Sequence, residues 1–312
     1  MKKYRCLIVD KMHESIIPML KELNVQVDYC PELTRKEIID RILDYDILFI
    51  RSKTQVDEEL LTKADKLKIV GRAGAGIDNL DEVYLSNKGI SIINASEGNR
   101  DAVGEHTIGM LLALLNNVVK AHTQVALKKW DREGNRGVEL SEKTVGIIGY
   151  GNMGRAFAQR LSGFGCRVLA FDKYLVDYSD EYITEVSLNE IYEQADIVSL
   201  HIPLTSETKG WIDDDFISKF SKPFFFLNLA RGEVAKLSSI RRAIASGAMR
   251  GAALDVLENE KLDELTTGQQ EDFTYLTSQP NVILTPHIGG WSFESYKKIN
   301  KVLTSKLLTL LS

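Results

Sequence analysis

The sequence predicts an α/β protein with two doubly wound parallel-sheet domains, and three observations carry that prediction. Short β-branched apolar runs alternate with stretches whose apolar residues fall three and four apart, the pattern of parallel strands and their covering helices. The alternation pauses near residue 100 and restarts near Lys143. The 312 residues, at ~150 per domain, suit about two hydrophobic cores.

In the first half, strands are expected at residues 6–9, 25–27, 47–50, 67–70 and 90–93, each an apolar run such as Ile47-Leu-Phe-Ile. Residues 34–43 and 57–64 have helical spacing. A long helical stretch then runs from about residue 101 to 129. Its first half, EHTIGMLLALL, is apolar nearly all round, which predicts burial on more than one side, between domains or across a subunit interface. After the restart, strands are expected at 144–148, 167–171, 197–200, 224–229, 252–254 and 282–284, and 293–311 reads as a terminal helix.

Composition narrows the function classes. The chain is 44% hydrophobic and 27% charged, and 39 Lys and Arg against 44 Asp and Glu leave a formal net charge of −5. That balance offers no general attraction to nucleic acid or an anionic membrane, though it leaves room for a local basic patch. Cys6, Cys30 and Cys166 lie far apart with no CxxC, so neither a disulfide framework nor a metal site is indicated. The apolar run before Asp10 is too short for a signal peptide, and residues 108–115 fall far below the ~20 needed to span a bilayer. A soluble, cytoplasmic protein is expected.

The most specific local pattern is TVGIIGYGNMGRAFA, a strand running into GxGxxG and then a helix. In a dinucleotide-binding turn, Gly149 permits the tight bend, Gly151 lets the backbone approach a pyrophosphate, and Gly154 allows close helix–strand packing. The N–H groups opening the next helix face the phosphates. Eighteen residues beyond Gly154 the next strand ends at Asp172. A carboxylate there accepts from ribose hydroxyls and repels a 2′-phosphate, favouring NAD over NADP. A second cluster, Gly71-Arg-Ala-Gly-Ala-Gly76, also follows a strand, and reads as a sharp turn or a nest for a small anion.

Three groups with complementary chemistry follow three successive strands of the second half. Arg231 lies in NLARGE, and its guanidinium can grip a carboxylate with two parallel hydrogen bonds. Glu260 lies in DVLENE, and His287 stands between Pro286 and Gly289-Gly290. The imidazole can exchange a proton near neutral pH, and a carboxylate partner would fix its tautomer and raise its pKa. The carboxyl edge of a parallel sheet is where open α/β folds bind ligands.

RAGAGIDNLD, GYGNMG, HIPLTSETKG, NLARGE, GAALDVLENE and LTPHIGG occur in that order across essentially the whole chain. In this ordered set the chain resembles the D-isomer-specific 2-hydroxyacid dehydrogenase family. The resemblance implies two Rossmann-like domains with a cleft between them. One is a discontinuous substrate-binding domain of residues 1–98 and 286–312, and the other is an NAD-binding domain of residues 99–285. It also implies that Arg231 binds the substrate carboxylate and carbonyl, that His287 moves the hydroxyl proton, and that Glu260 pairs with His287. Cofactor contacts would come from Gly149, Gly151, Asn152, Met153 and Gly154, from Asp172, and from His201, Pro203 and Ala230. Asp255 would meet the nicotinamide carboxamide. Ala75 and Gly76 would offer N–H groups to the substrate carboxylate, and the long helix would help form a homodimer.

Within the family, the N-terminal half is most similar to the branch acting on 3-phosphoglycerate in serine biosynthesis. Arg51, Arg72 and Arg132 match positions where that branch surrounds a phosphate with arginines. Arg132 would arrive from the far end of the long helix, in its own subunit or a partner's. Hydroxypyruvate or glyoxylate reduction is the alternative chemistry, and dinucleotide-sensing corepressors are an alternative of another class. Lys261 stands where the family usually has proline, and Trp291 where the phosphoglycerate branch usually has serine. With nothing after residue 312, serine feedback through a further amino-acid-binding domain is not expected.

Overall fold

A computed structural model of the chain describes residues 4–312. In chain order the elements begin β1 (Arg5–Ile8), α1 (Ile16–Glu22), β2 (Gln26–Tyr29), α2 (Arg35–Arg41), β3 (Ile47–Ile50), β4 (Ile69–Arg72), α3 (Glu82–Asn87) and β5 (Ser91–Asn94). Two helices follow, α4 (Ser96–Leu115) and α5 (Val118–Ala126). Then come β6 (Thr144–Ile148), α6 (Asn152–Leu161), β7 (Arg167–Phe171), β8 (Thr184–Glu185), α7 (Leu188–Gln194), β9 (Ile197–Leu200) and α8 (Asp214–Ser218). The chain finishes with β10 (Phe224–Asn228), α9 (Leu237–Ser246), β11 (Met249–Leu254), α10 (Thr267–Ser278), β12 (Val282–Leu284) and α11 (Phe293–Leu311).

The chain divides into two compact units. The first comprises residues up to Asp101 together with Trp291–Ser312, and the second is Ala102–Gly290. The first crossing falls inside α4, and the second follows Gly289-Gly290.

The first unit holds a five-stranded sheet of order β2-β1-β3-β4-β5, every pair parallel. Winding proceeds outward in both directions from the β1–β3 pair, which makes their carboxyl ends a topological switch point. Strands covered on both faces read as unbroken apolar runs, and all four residues of β3 are buried. Their side chains alternate between faces. Cys6, Ile8, Ile47 and Phe49 pack with Ile16 and Leu20 of α1 and Ile299, Leu303 and Leu307 of α11. Leu7, Leu48 and Ile50 pack with Ile38, Leu60 and Leu85 on the other side.

The second unit holds a seven-stranded sheet of order β12-β11-β10-β9-β6-β7-β8, again parallel throughout. Its switch point lies between β6 and β9. Phe157 of α6 and Leu111 and Leu114 of α4 share a buried cluster with Ile147, Ile197 and Leu227 of the strands.

Two local expectations are corrected. Residues 57–64 form turns rather than a helix. Leu61 N–H reaches Asp57 O at 3.2 Å, but Ala64 bonds only three residues back, to Leu61 O at 3.0 Å. The Asp57 carboxylate takes Leu60 N–H and the Arg35 guanidinium, and the tighter coil still buries Leu60, Leu61 and Ala64. The long helix is broken: Asn117 adopts a left-handed conformation with φ 53°, a geometry asparagine tolerates, and α4 and α5 meet at 61°. Burial on several sides therefore belongs to α4 alone, since no residue of α5 is buried. The two-residue edge strand β8 is too short to leave a sequence signature. Among the described residues no single helix is long and apolar enough to cross a membrane.

Candidate active site

The glycine turn sits at the switch point of the second sheet. Gly149 follows β6 with φ 94°, and a Cβ there would lie 2.5 Å from the carbonyl oxygen of His201, the residue after β9. A Cβ on Gly154 would collide with the Gly149 carbonyl oxygen, so helix α6 packs on the turn only because residue 154 is glycine. Gly151 faces open space, with no atom within 4 Å of a built Cβ. The turn is thus sterically fixed at both ends and open in the middle, where Asn152 and Met153 begin α6. Main-chain N–H groups in a first helical turn lack intrahelical acceptors, which suits a diphosphate.

Asp172 directly follows β7 beside this turn. Its Oδ2 accepts Tyr150 N–H at 2.8 Å, and its Oδ1 accepts Tyr174 and Leu175 N–H at 2.9 and 3.1 Å. Burial opposes ionisation, but these N–H groups and Arg155 outweigh it and hold the carboxyl below its usual range. A fixed anion at the end of the second strand fits a ribose diol. The donor set and the open glycine therefore fit NAD. Pro203 is exposed after β9, and Ala230 is half-buried after β10. The imidazole of His201 does not face a ligand in this way. Its Nε2 lies 2.9 Å from Ser199 Oγ and its ring 5.5 Å from Phe157, and desolvation pulls its pKa down to about 3.

Loops following β10, β11 and β12 bring Arg231, Glu260 and His287 together. His287 Nδ1 lies 2.9 Å from Glu260 Oε1 and 3.1 Å from Oε2. The hydrogen bond to Glu260 raises the imidazole pKa, against desolvation and the positive charge of Arg231. Nδ1 is occupied, so Nε2 is the nitrogen left to act on a ligand. Asn228 fixes the Arg231 loop, its Nδ2 donating to Arg231 O at 3.0 Å and its Oδ1 accepting Ala230 N–H at 3.1 Å.

His287 itself has φ 54°, an uncommon conformation for a residue with a side chain. Asp255, buried at the end of β11, holds it there. Its carbonyl accepts His287 N–H at 2.7 Å, Oδ1 accepts Ile288 N–H at 2.9 Å, and Oδ2 accepts Gly289 N–H at 2.7 Å. Thr285 Oγ1 donates to Oδ1 at 2.6 Å, and His106 Nε2 lies 3.5 Å away. Burial disfavours the charge, but His106, Thr285 and the two N–H groups together keep this carboxyl ionised. Asp255 thus shapes the His287 loop, a role the sequence reading did not include. His106 was missed altogether, and its one signal was a basic residue inside the apolar helix EHTIGMLLALL.

In the first unit, Arg51 and Arg72 stand at the carboxyl ends of neighbouring strands, with Arg72 opposite Ile50 in the β3–β4 register. Gly74 O accepts Ala95 N–H at 2.8 Å, and Ala75 O accepts Asn94 Nδ2 at 2.8 Å. A trans peptide points its N–H opposite its C=O, so the N–H groups of Ala75 and Gly76 are both aimed away from β5. This loop is the candidate for the anion nest. Lys306 secures it, reaching Asn94 O at 3.0 Å and Glu97 Oε2 at 2.9 Å. Arg132 is exposed in the loop after α5, in the second unit.

The family model for the D-isomer specific 2-hydroxyacid dehydrogenase NAD binding domain matches residues 108–289. The chain is 34% identical to a D-3-phosphoglycerate dehydrogenase of Methanocaldococcus jannaschii, over 98% of this chain and 57% of that one. It thus spans little more than half the length of that relative. It is 32% identical to a hydroxypyruvate reductase of Thermotoga maritima over 98% of both chains. Its fold superposes on a D-lactate dehydrogenase from Aquifex aeolicus, solved with NAD and lactic acid, with TM-score 0.83 and 24% identity over 98% of this chain and 95% of that one.

Proposed function

The chain belongs to the D-isomer specific 2-hydroxyacid dehydrogenase family, its second unit being the NAD-binding domain, and we propose that it interconverts a D-2-hydroxy acid and the corresponding 2-oxo acid. The observation that carries the reading is the His287–Glu260 pair beside Arg231 at the carboxyl edge of a parallel sheet. Bound NAD supplies the hydride acceptor or donor. The chain's own residues manage the proton and the charges. Neutral His287 takes the hydroxyl proton through Nε2 in the oxidative direction, and the imidazolium returns it in the reductive direction. Glu260 holds Nδ1–H and stabilises the imidazolium. Arg231 steadies the substrate carboxylate and the carbonyl oxygen as it gains or loses charge. The N–H groups of Ala75 and Gly76 add donors for the carboxylate. Gly149, Gly151, Asn152, Met153 and Gly154 receive the diphosphate, Asp172 receives the ribose, and His201, Pro203 and Ala230 contribute through their backbones.

Among 2-hydroxy acids we assign D-3-phosphoglycerate, and with it the first step of serine biosynthesis. The support is Arg51 and Arg72 at adjacent strand ends, with Arg132 as a third cation, and the phosphoglycerate dehydrogenases among the relatives. Hydroxypyruvate reduction is the second reading, favoured by the relative matched over nearly its whole length. We further assign a homodimer, supported by the exposed Val118, Val119, Val125, Leu127 and Trp130 on α5 and the loop after it. A substrate panel tests the assignment: NADH formation with D-3-phosphoglycerate, D-glycerate and D-lactate, and NADH consumption with hydroxypyruvate and glyoxylate. Highest kcat/KM on an unphosphorylated acid sinks the phosphate assignment. No NAD-dependent turnover with any of the five sinks the family activity.

A further inference from the structure

The carboxyl ends of β1 and β3 form the switch point of the first sheet, and Arg51 leaves it with a fixed backbone. Arg51 N–H donates to Asp10 Oδ2 at 2.6 Å, and Arg51 O accepts Asn79 Nδ2 at 2.8 Å. Asp10 is buried and is itself tied to Thr54 Oγ1 at 2.7 Å. The side chain is held differently. Its guanidinium carbon lies 4.5 Å from the Trp291 ring centre and 5.1 Å from that of Tyr296. The two rings are 5.5 Å apart and inclined at 40°, and His13 meets Tyr296 edge-on at 5.6 Å. The Ser292 cap fixes the start of α11 immediately after Trp291. Besides these rings, the guanidinium hydrogen-bonds the Tyr296 side chain and the Lys11 carbonyl, 3.3 Å from Nη1, and interacts electrostatically with Asp10 and Tyr29.

Stacking occupies the faces of a guanidinium, whereas its N–H donors lie in its plane. An arginine held by aromatic rings therefore keeps donors for an anion while losing the freedom of its long side chain. An arginine paired with a carboxylate would not.

Building on the phosphoglycerate reading, we propose that Trp291, supported by Tyr296, is a positioning residue. It holds Arg51 ready for the phosphate-ester tail of the substrate and so sets selectivity between phosphorylated and unphosphorylated hydroxy acids. The departure from serine at position 291 thus favours phosphate rather than opposing it.

Calorimetric titration of the NADH-bound protein with D-3-phosphoglycerate tests this, beside steady-state kinetics on D-3-phosphoglycerate and D-glycerate. Trp291→Ala is expected to weaken phosphoglycerate binding about five- to tenfold. The KM ratio of phosphoglycerate to glycerate should rise by a similar factor, with kcat on phosphoglycerate within about twofold of wild type. Trp291→Phe keeps an aromatic face and should recover most of the loss. Equal loss on both substrates, no rescue by phenylalanine, or tighter phosphoglycerate binding in Trp291→Ala overturns the proposal, as does wild-type protein that fails to bind phosphoglycerate. Phosphoglycerate binding that depends on Trp291 without turnover upholds the anion site and refutes the dehydrogenase reading instead.

Discussion

Replacing Glu260 with glutamine removes one negative charge from beside the imidazole while keeping an oxygen that can accept from Nδ1–H. The charges in the native pair are 2.9 Å apart at closest approach, and the two side chains are 46% and 48% exposed. Water therefore screens the pair strongly, and the dielectric of water gives the lower limit on its energy. Coulomb's law then gives about 1.4 kcal/mol, about tenfold in an equilibrium constant. The His287 pKa, raised by Glu260 in the native protein, should fall in Glu260→Gln. Reduction of a 2-oxo acid requires the imidazolium, so the alkaline limb of kcat/KM should move toward acid. On the alkaline side of both limbs, reduction should drop about tenfold. Oxidation requires the neutral ring, so its acidic limb should move in the same direction, leaving Glu260→Gln relatively better at low pH. The pH profiles of kcat/KM in both directions, and the NMR titration of the His287 ring, read this out. Limbs that stay in place or move toward base refute the pairing as the source of the shift.

Two further predictions separate shape from chemistry. Gly154→Ala forces a methyl against the Gly149 carbonyl and should cost about 1–3 kcal/mol, a fall in Tm of roughly 2–10 °C. Gly151→Ala meets nothing in the chain and should leave Tm in place while raising KM for NAD, and the reverse pattern contradicts the turn geometry. In Asp255→Asn an amide donor faces the N–H of Ile288 or Gly289, an unmade hydrogen bond costing about 1–3 kcal/mol. The His287 loop should loosen and kcat fall at least tenfold, and an unchanged kcat would show that Asp255 does not shape that loop.

Strands such as β3 were legible because a strand buried on both faces needs a continuous apolar run, and Ile47-Leu-Phe-Ile supplies one. The glycine turn, Asp172 and the three loop residues were legible because each follows a strand and chemistry confines it to few residue types. What failed was local competition. Residues 57–64 have helical spacing but settle into turns, and Asn117 breaks a helix that its apolar neighbours would continue. What could not be read was adjacency between distant positions. Asp255 with His106, and Arg51 with Trp291, are joined by topology alone, and periodicity carries no information about such pairs.

The route of α11 back to the first sheet has a consequence for synthesis on the ribosome. The inserted unit is complete once Gly290 has been made, whereas the unit begun first waits for Leu303 and Leu307. Until then α1 alone covers the face bearing Cys6, Ile8, Ile47 and Phe49, an apolar surface open to chaperones or to neighbouring nascent chains. The half that starts first is finished last, and the nucleotide-binding half matures while its elder is still unsealed.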